Sequence, residues 1–133
     1  MIAVDTNVLL RLVLDDEPAQ AAAVERILRT AGEGGIFISL LVVAEVAWVL
    51  KRGYRESPET ILEIIKDVLA TREFTIERPD IVEAALLDAH AAKCGLADAL
   101  IGRINEDHGS VGTLTFDMRA KRLPTMRDAA SFR

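Results

Sequence analysis

A single cysteine, Cys94, excludes an internal disulfide and fits a reducing compartment; its ordinary place is that of a small buried apolar residue before Gly95. Aromatic residues make up only 5% of the chain, so aliphatic side chains must fill the core. The longest apolar stretch is about a dozen residues and contains Glu45, which is too short and too charged to span a bilayer. No basic leader precedes the first apolar run, so the expected location is cytoplasmic, away from membranes. Glycines cluster at Gly32-Glu33-Gly34-Gly35, but neither a P-loop lysine motif nor a strand, G-x-G-x-x-G and helix series surrounds them, which removes support for the nucleotide-binding folds. His90 and His108 lack a second histidine or cysteine at ligand spacing and read as exposed rather than zinc-binding. Positive charge is also short: the formal net charge is −5 and the pI about 5.0, the opposite of a typical nucleic-acid-binding footprint.

What is present is one domain, residues 1–133, with half its residues hydrophobic and an expected radius of gyration of about 14 Å. Strands are expected at Ile2 to Val4, Ile36 to Ile38, Glu73 to Glu77, Gly112 to Thr115 and Leu123 to Met126. Between them, a helical pattern starts at Val8, and Pro18 to Thr30 carries Val24, Ile27 and Leu28 on one face. Ser57-Pro58-Glu59 opens another helix with Ile61, Ile64, Ile65 and Val68 inward, and Asp80 with Glu83 opens a third with Val82, Ala85, Leu86 and Ala89 inward. Short strands alternating with helices predict an α/β class, an α/β/α sandwich on a mostly parallel central sheet of about five strands.

Four acids stand against this apolar background. Asp5 ends the first strand, and Thr6-Asn7 follow; beyond strand ends is where open α/β sheets bind ligands, although Asp also caps helices. Glu45 has Leu41, Val42, Trp48 and Val49 as helical neighbours, none able to neutralise it, so it needs a distant Lys or Arg, a metal or a proton. Asp98 follows Gly95-Leu96-Ala97 at a helix start, where capping alone accounts for it, and its apolar flanks imply a largely buried setting. Asp117 follows the strand ending Thr115-Phe116 and repeats the arrangement at Asp5; by itself it is a turn residue. Gathered at one end of a sheet, four carboxylates require a cation between them, and all-oxygen ligands suit Mg²⁺ or Mn²⁺.

Asp5-Thr6-Asn7 after a first strand, Ile38-Ser39 leading into the Glu45 helix, Ala97-Asp98-Ala99-Leu100-Ile101, and Thr115-Phe116-Asp117 followed by Leu123-Pro124 together resemble a PIN domain, in particular the VapC-type toxin nuclease of VapBC systems. The resemblance runs from Met1 to about Met126. It implies an endoribonuclease with Mg²⁺ or Mn²⁺ held by Asp5, Asp98 and Asp117, and Glu45 as a ligand or as the group orienting the attacking water. Thr6, Asn7 and Thr115 would be supporting polar residues. It also implies a small VapB-like antitoxin across the groove and a homodimer. Met118 and Arg119 stand where some members carry a further acid, which bears on the number of metals. Gly95-Leu96 stands where an aromatic residue is common.

The charge problem eases on inspection of its distribution. From Phe116 to Arg133 five basic residues face two acids, a net +3 beside Asp117, and Arg119, Lys121 and Arg122 are the expected RNA-binding group. Lys51, Arg52 and Arg55 form a second cluster after the Glu45 helix. Trp48 and Tyr54 are candidate anchors for an antitoxin or a second subunit, with the core as the competing place for Trp48. Two other classes compete. One is a PIN-fold module that binds RNA or protein without cutting. The other is a Mg²⁺-dependent phosphatase or phospho-acceptor domain, which needs the paired acid and late lysine that Asp5-Thr6-Asn7 and its sequel lack.

Overall fold

The helices begin where the sequence supplies a cap. In the computed structural model, which describes residues 1–133, Asp5 accepts a hydrogen bond from the Val8 amide at 3.0 Å and opens α1, Thr6–Leu14. Ser39 does the same for α3, Leu40–Arg52, and Ser57 with Pro58 at the first helical position opens α4, Pro58–Ala70. A second acceptor, Glu77 Oε1, takes the Leu40 amide at 2.8 Å, so the residue after the third strand also pins the start of α3. Helix α5, Pro79–Ala92, departs from expectation at its start. Asp80 is not its cap; Arg78 is the entry residue, left-handed at φ 51°, and grips Asp80 from outside the helix while its guanidinium also holds Asp107 at the end of α6, Leu96–Asp107. The expected inward set of α5 is buried throughout.

The segment from Pro18 starts as a 3-10 turn, Pro18–Gln20, before α2, Ala21–Ala31. Val24, Ile27 and Leu28 share its inner face but are only half-buried, and no residue of α2 is fully covered.

Five strands form, all in parallel ladders: β1, Ile2–Ala3; β2, Ile36–Ile38; β3, Phe74–Ile76; β4, Thr113–Thr115; and β5, Met126–Asp128. The last lies further along than Leu123 to Met126. Leu123 closes a 3-10 turn by donating to the Ala120 carbonyl, and Pro124 has no amide hydrogen for a ladder. Ile2 pairs with Ile36, Ile36 with Phe74, and Thr113 with Met126. The α/β fold class and the parallel strands follow expectation, but the ladder is divided: β1-β2-β3 form one sheet and β4-β5 another. Ile2 of β1 is 57% exposed and Leu114 of β4 46%.

Ile36 and Ile38 are fully buried at the centre of a single aliphatic core with Leu9, Leu10, Val43, Val46, Leu50 and Leu100. The accessible surface is 8140 Å². A monomer of this mass is expected to expose about 6,900 Å². Exposed Ile2 and Leu114 and the half-buried inner face of α2 contribute to the excess. No helix is long and apolar enough to cross a membrane.

Candidate active site

Asp98 is the third residue of α6, whose preceding residue Gly95 offers no side-chain cap. It is half-buried beside buried Leu96, Ala99 and Leu100, and neither of its oxygens accepts a hydrogen bond from the protein. Capping therefore does not occupy this carboxylate. Burial pushes its pKa above the ordinary range, repulsion from Asp117 adds to the rise, and Lys51 opposes it.

Asp117 sits in the turn after β4 and is perturbed the other way. Its Oδ1 accepts the amides of Ala120 and Arg119, both at 2.8 Å, and these bonds hold its carboxyl below the ordinary range, with Arg119 and Lys51 contributing charge. Thr115 Oγ1 accepts the Asp117 amide at 3.0 Å, which fixes the loop. Oδ2 of Asp117 accepts no protein hydrogen bond.

These two acids are brought close enough to repel one another. The other two come from the end of β1 and from α3. Asp5 is exposed and spends Oδ1 on the α1 cap, leaving Oδ2 free; Thr6 beside it is buried and Asn7 exposed. Asp5 follows β1 and Asp117 follows β4, strands that belong to different sheets. Glu45 is exposed, contrary to the reading of a carboxylate on a buried stripe. Leu41 (76% exposed) and Trp48 (57%) share its outward face, so these apolar neighbours lie towards solvent and do not bury Glu45. Trp48 is accordingly not in the core. No group of three or more acids, histidines or cysteines converges as a ready metal cage.

The Asp98–Asp117 pair fits a divalent cation in a more modest way. Mg²⁺ commonly takes one or two carboxylates and completes its shell with waters and substrate phosphates. Both oxygens of Asp98 and Oδ2 of Asp117 are uncommitted, and a cation between the two acids would relieve the repulsion that raises Asp98.

The expected basic group divides. Lys121 is tied to Asp128 at 3.4 Å, and Arg122 donates to the carbonyls of Lys93 and Arg119, whereas the Arg119 side chain carries no hydrogen bond or ion pair. Tyr54 donates to Asp16, itself bonded by Arg11, and is not a free anchor. His90 and His108 are exposed, as expected. Two residues escaped the sequence reading of the site. Lys51 was visible in a basic cluster, but only the packing of α3 on α6 brings its charge to the acids. Cys94 lies by them as well; burial raises its thiol, and Asp98 raises it further. A cavity of about 440 Å³ lies between α1 and α2, with Asn7, Val8, Arg11 and Ile27 in its walls.

The family model for the PIN domain matches residues 2–125, nearly the whole chain. A comparison with curated proteins finds no match.

Proposed function

Because the chain belongs to the PIN domain family, whose members are generally nucleases that use divalent metals, we propose that it is a Mg²⁺- or Mn²⁺-dependent endoribonuclease, the VapC-type toxin of a toxin–antitoxin pair. One observation carries the reading: a half-buried carboxylate with no protein partner, Asp98, stands within reach of the charge of a second acid, Asp117, on a chain of this family.

Asp98 and Asp117 would hold the cation, with Asp5 offering its free Oδ2 and Glu45 acting as a further ligand or as the group that orients the attacking water. A bound divalent cation supplies charge neutralisation to the phosphodiester and acidifies a water. Asp117 supplies a carboxylate kept anionic by the Arg119 and Ala120 amides. Thr115 keeps that loop in place. Thr6 and Asn7 support the Asp5 end. In-line attack of water breaks the bond from phosphorus to the ribose 3′ oxygen and leaves a 5′-phosphate and a 3′-hydroxyl. Leu41 and Trp48, exposed on either side of Glu45, supply apolar surface for a small antitoxin or a second copy. Such a toxin works in the cytoplasm.

The second reading, a PIN fold that binds RNA or protein without cutting, is favoured by the lack of three converging acids. The deciding experiment is cleavage of labelled RNA by the purified, partner-free chain with Mg²⁺, with Mn²⁺ and with EDTA, beside Asp98→Asn. Metal-dependent cutting lost in the variant supports the nuclease. Folded protein that cuts no cellular RNA under any condition supports the binding module, and products ending in a 2′,3′-cyclic phosphate overturn the water route.

A further inference from the structure

Cations near the acid pair differ in what they are already doing. Lys121 and Arg122 are committed to Asp128 and to backbone carbonyls, respectively. Lys51 is exposed, and its ammonium forms neither a hydrogen bond nor a salt bridge. It stands in the last turn of α3, the helix that packs across α6, and its charge reaches both Asp98 and Asp117.

The ordinary role of a last-turn lysine is to offset the helix dipole. Arg52 in the same turn can serve that role, and its charge is not felt at Asp98. A counter-ion role for Lys51 is also incomplete, because it closes a salt bridge with neither acid. A cation held near two carboxylates, and bonded to neither, leaves its donors for a third group. An ammonium is a compact point charge with three donors, suited to a non-bridging phosphate oxygen.

We infer that Lys51, together with Arg119 from the turn after Asp117, receives a backbone phosphate of the substrate strand beside the Asp98–Asp117 pair, while Lys121 and Arg122 hold the fold. The inference rests on the nuclease reading and names where its substrate is gripped. It also answers how a chain of net charge −5 attracts RNA: two uncommitted cations at the acid pair do so locally.

The test is fluorescence anisotropy of a labelled single-stranded RNA against the full chain in EDTA, over a series of salt concentrations, so that binding is read without cleavage. Lys51→Gln is expected to weaken binding about fivefold at 0.1 M salt and to shrink the logarithmic salt slope by ~0.7, the value for one phosphate contact on a single strand. Lys51→Arg keeps the slope, and Lys66→Gln, on α4 and paired with Glu63, behaves as wild type. Mn²⁺ affinity, read by electron paramagnetic resonance, is undiminished in Lys51→Gln. Unchanged RNA affinity and slope in Lys51→Gln, with wild type binding RNA, overturn the inference and leave the nuclease reading standing. Wild-type protein that neither binds nor cuts RNA removes both.

Discussion

Gly102 of α6 lies so close to Thr125 that a β-carbon at Gly102 would stand 2.0 Å from Thr125 Oγ1. The contact brings α6 against the segment entering β5. Alanine is the better helix former by up to ~1 kcal/mol, yet Gly102→Ala is expected to lower stability by about 2 kcal/mol through overpacking. Thr125 Oγ1 is also buried without a hydrogen-bond partner. Thr125→Val should therefore be neutral or stabilising by up to ~1 kcal/mol. Urea midpoints at constant slope check both; a Gly102→Ala protein as stable as wild type would remove the packing argument.

Arg103 and Asp88 form a two-bond pair at 2.6 and 2.9 Å that ties α5 to α6, with Asp88 buried and Arg103 partly exposed. Arg103→Met strands a buried carboxylate and is expected to cost about 2 kcal/mol, less than a fully buried pair because solvent still screens the arginine. Arg103→Met with Asp88→Leu should recover most of that loss. Additive losses in the double variant would mean that packing, not the stranded charge, sets the cost.

Asp98 ties stability to the site. Its folded-state pKa is raised, so between the ordinary carboxylate value and that raised value stability falls as pH rises, and the penalty is full above it. Asp98→Asn should raise the denaturation midpoint of the protein in EDTA at pH 7, with no gain at a pH below the ordinary carboxylate range, while RNA cleavage disappears. A destabilised asparagine variant at pH 7 would contradict an unmet charge at Asp98.

Divalent metal should stabilise the protein through the same pair. With Mn²⁺ at a hundredfold excess over Kd, linkage gives about 2.7 kcal/mol. The melting temperature should rise with Mn²⁺, return with EDTA, and fail to respond in Asp98→Asn. Equal responses in wild type and variant would place the cation elsewhere.

Arg78 contributes to the acid limb of the stability profile. It lowers the pKa of Asp80 and of Asp107, so their contribution is present above the ordinary carboxylate value and is lost as pH falls through the depressed values. Arg78→Gly accepts the left-handed backbone and removes both ion pairs. Its acid-unfolding midpoint, followed by circular dichroism, is expected to move to higher pH.

The helices and strands were legible because their signals are local: serine caps, a proline at the first helical position of α4, isoleucines at helical spacing. Arg78 was not, because a left-handed arginine answers to Asp107, far along the chain. Asp98 and Asp117 could be singled out as acids in apolar surroundings. Glu45 shows the limit of that argument, since Leu41 and Trp48 give it apolar neighbours that are themselves in water. Nor does composition separate Lys51 from Lys121; what divides them is whether Asp128 is within reach, a matter of tertiary placement.

The divided sheet gives the two acids unequal footing. Asp98 is set in α6 against the main core, while Asp117 hangs from β4 and β5, two three-residue strands that join no other sheet and are keyed to the body through Ala120, Leu123 and Met126. A two-strand ladder of this size is marginal by itself and depends on that packing. The two carboxylates therefore answer to different supports, and their separation is set by how the smaller sheet seats on the core.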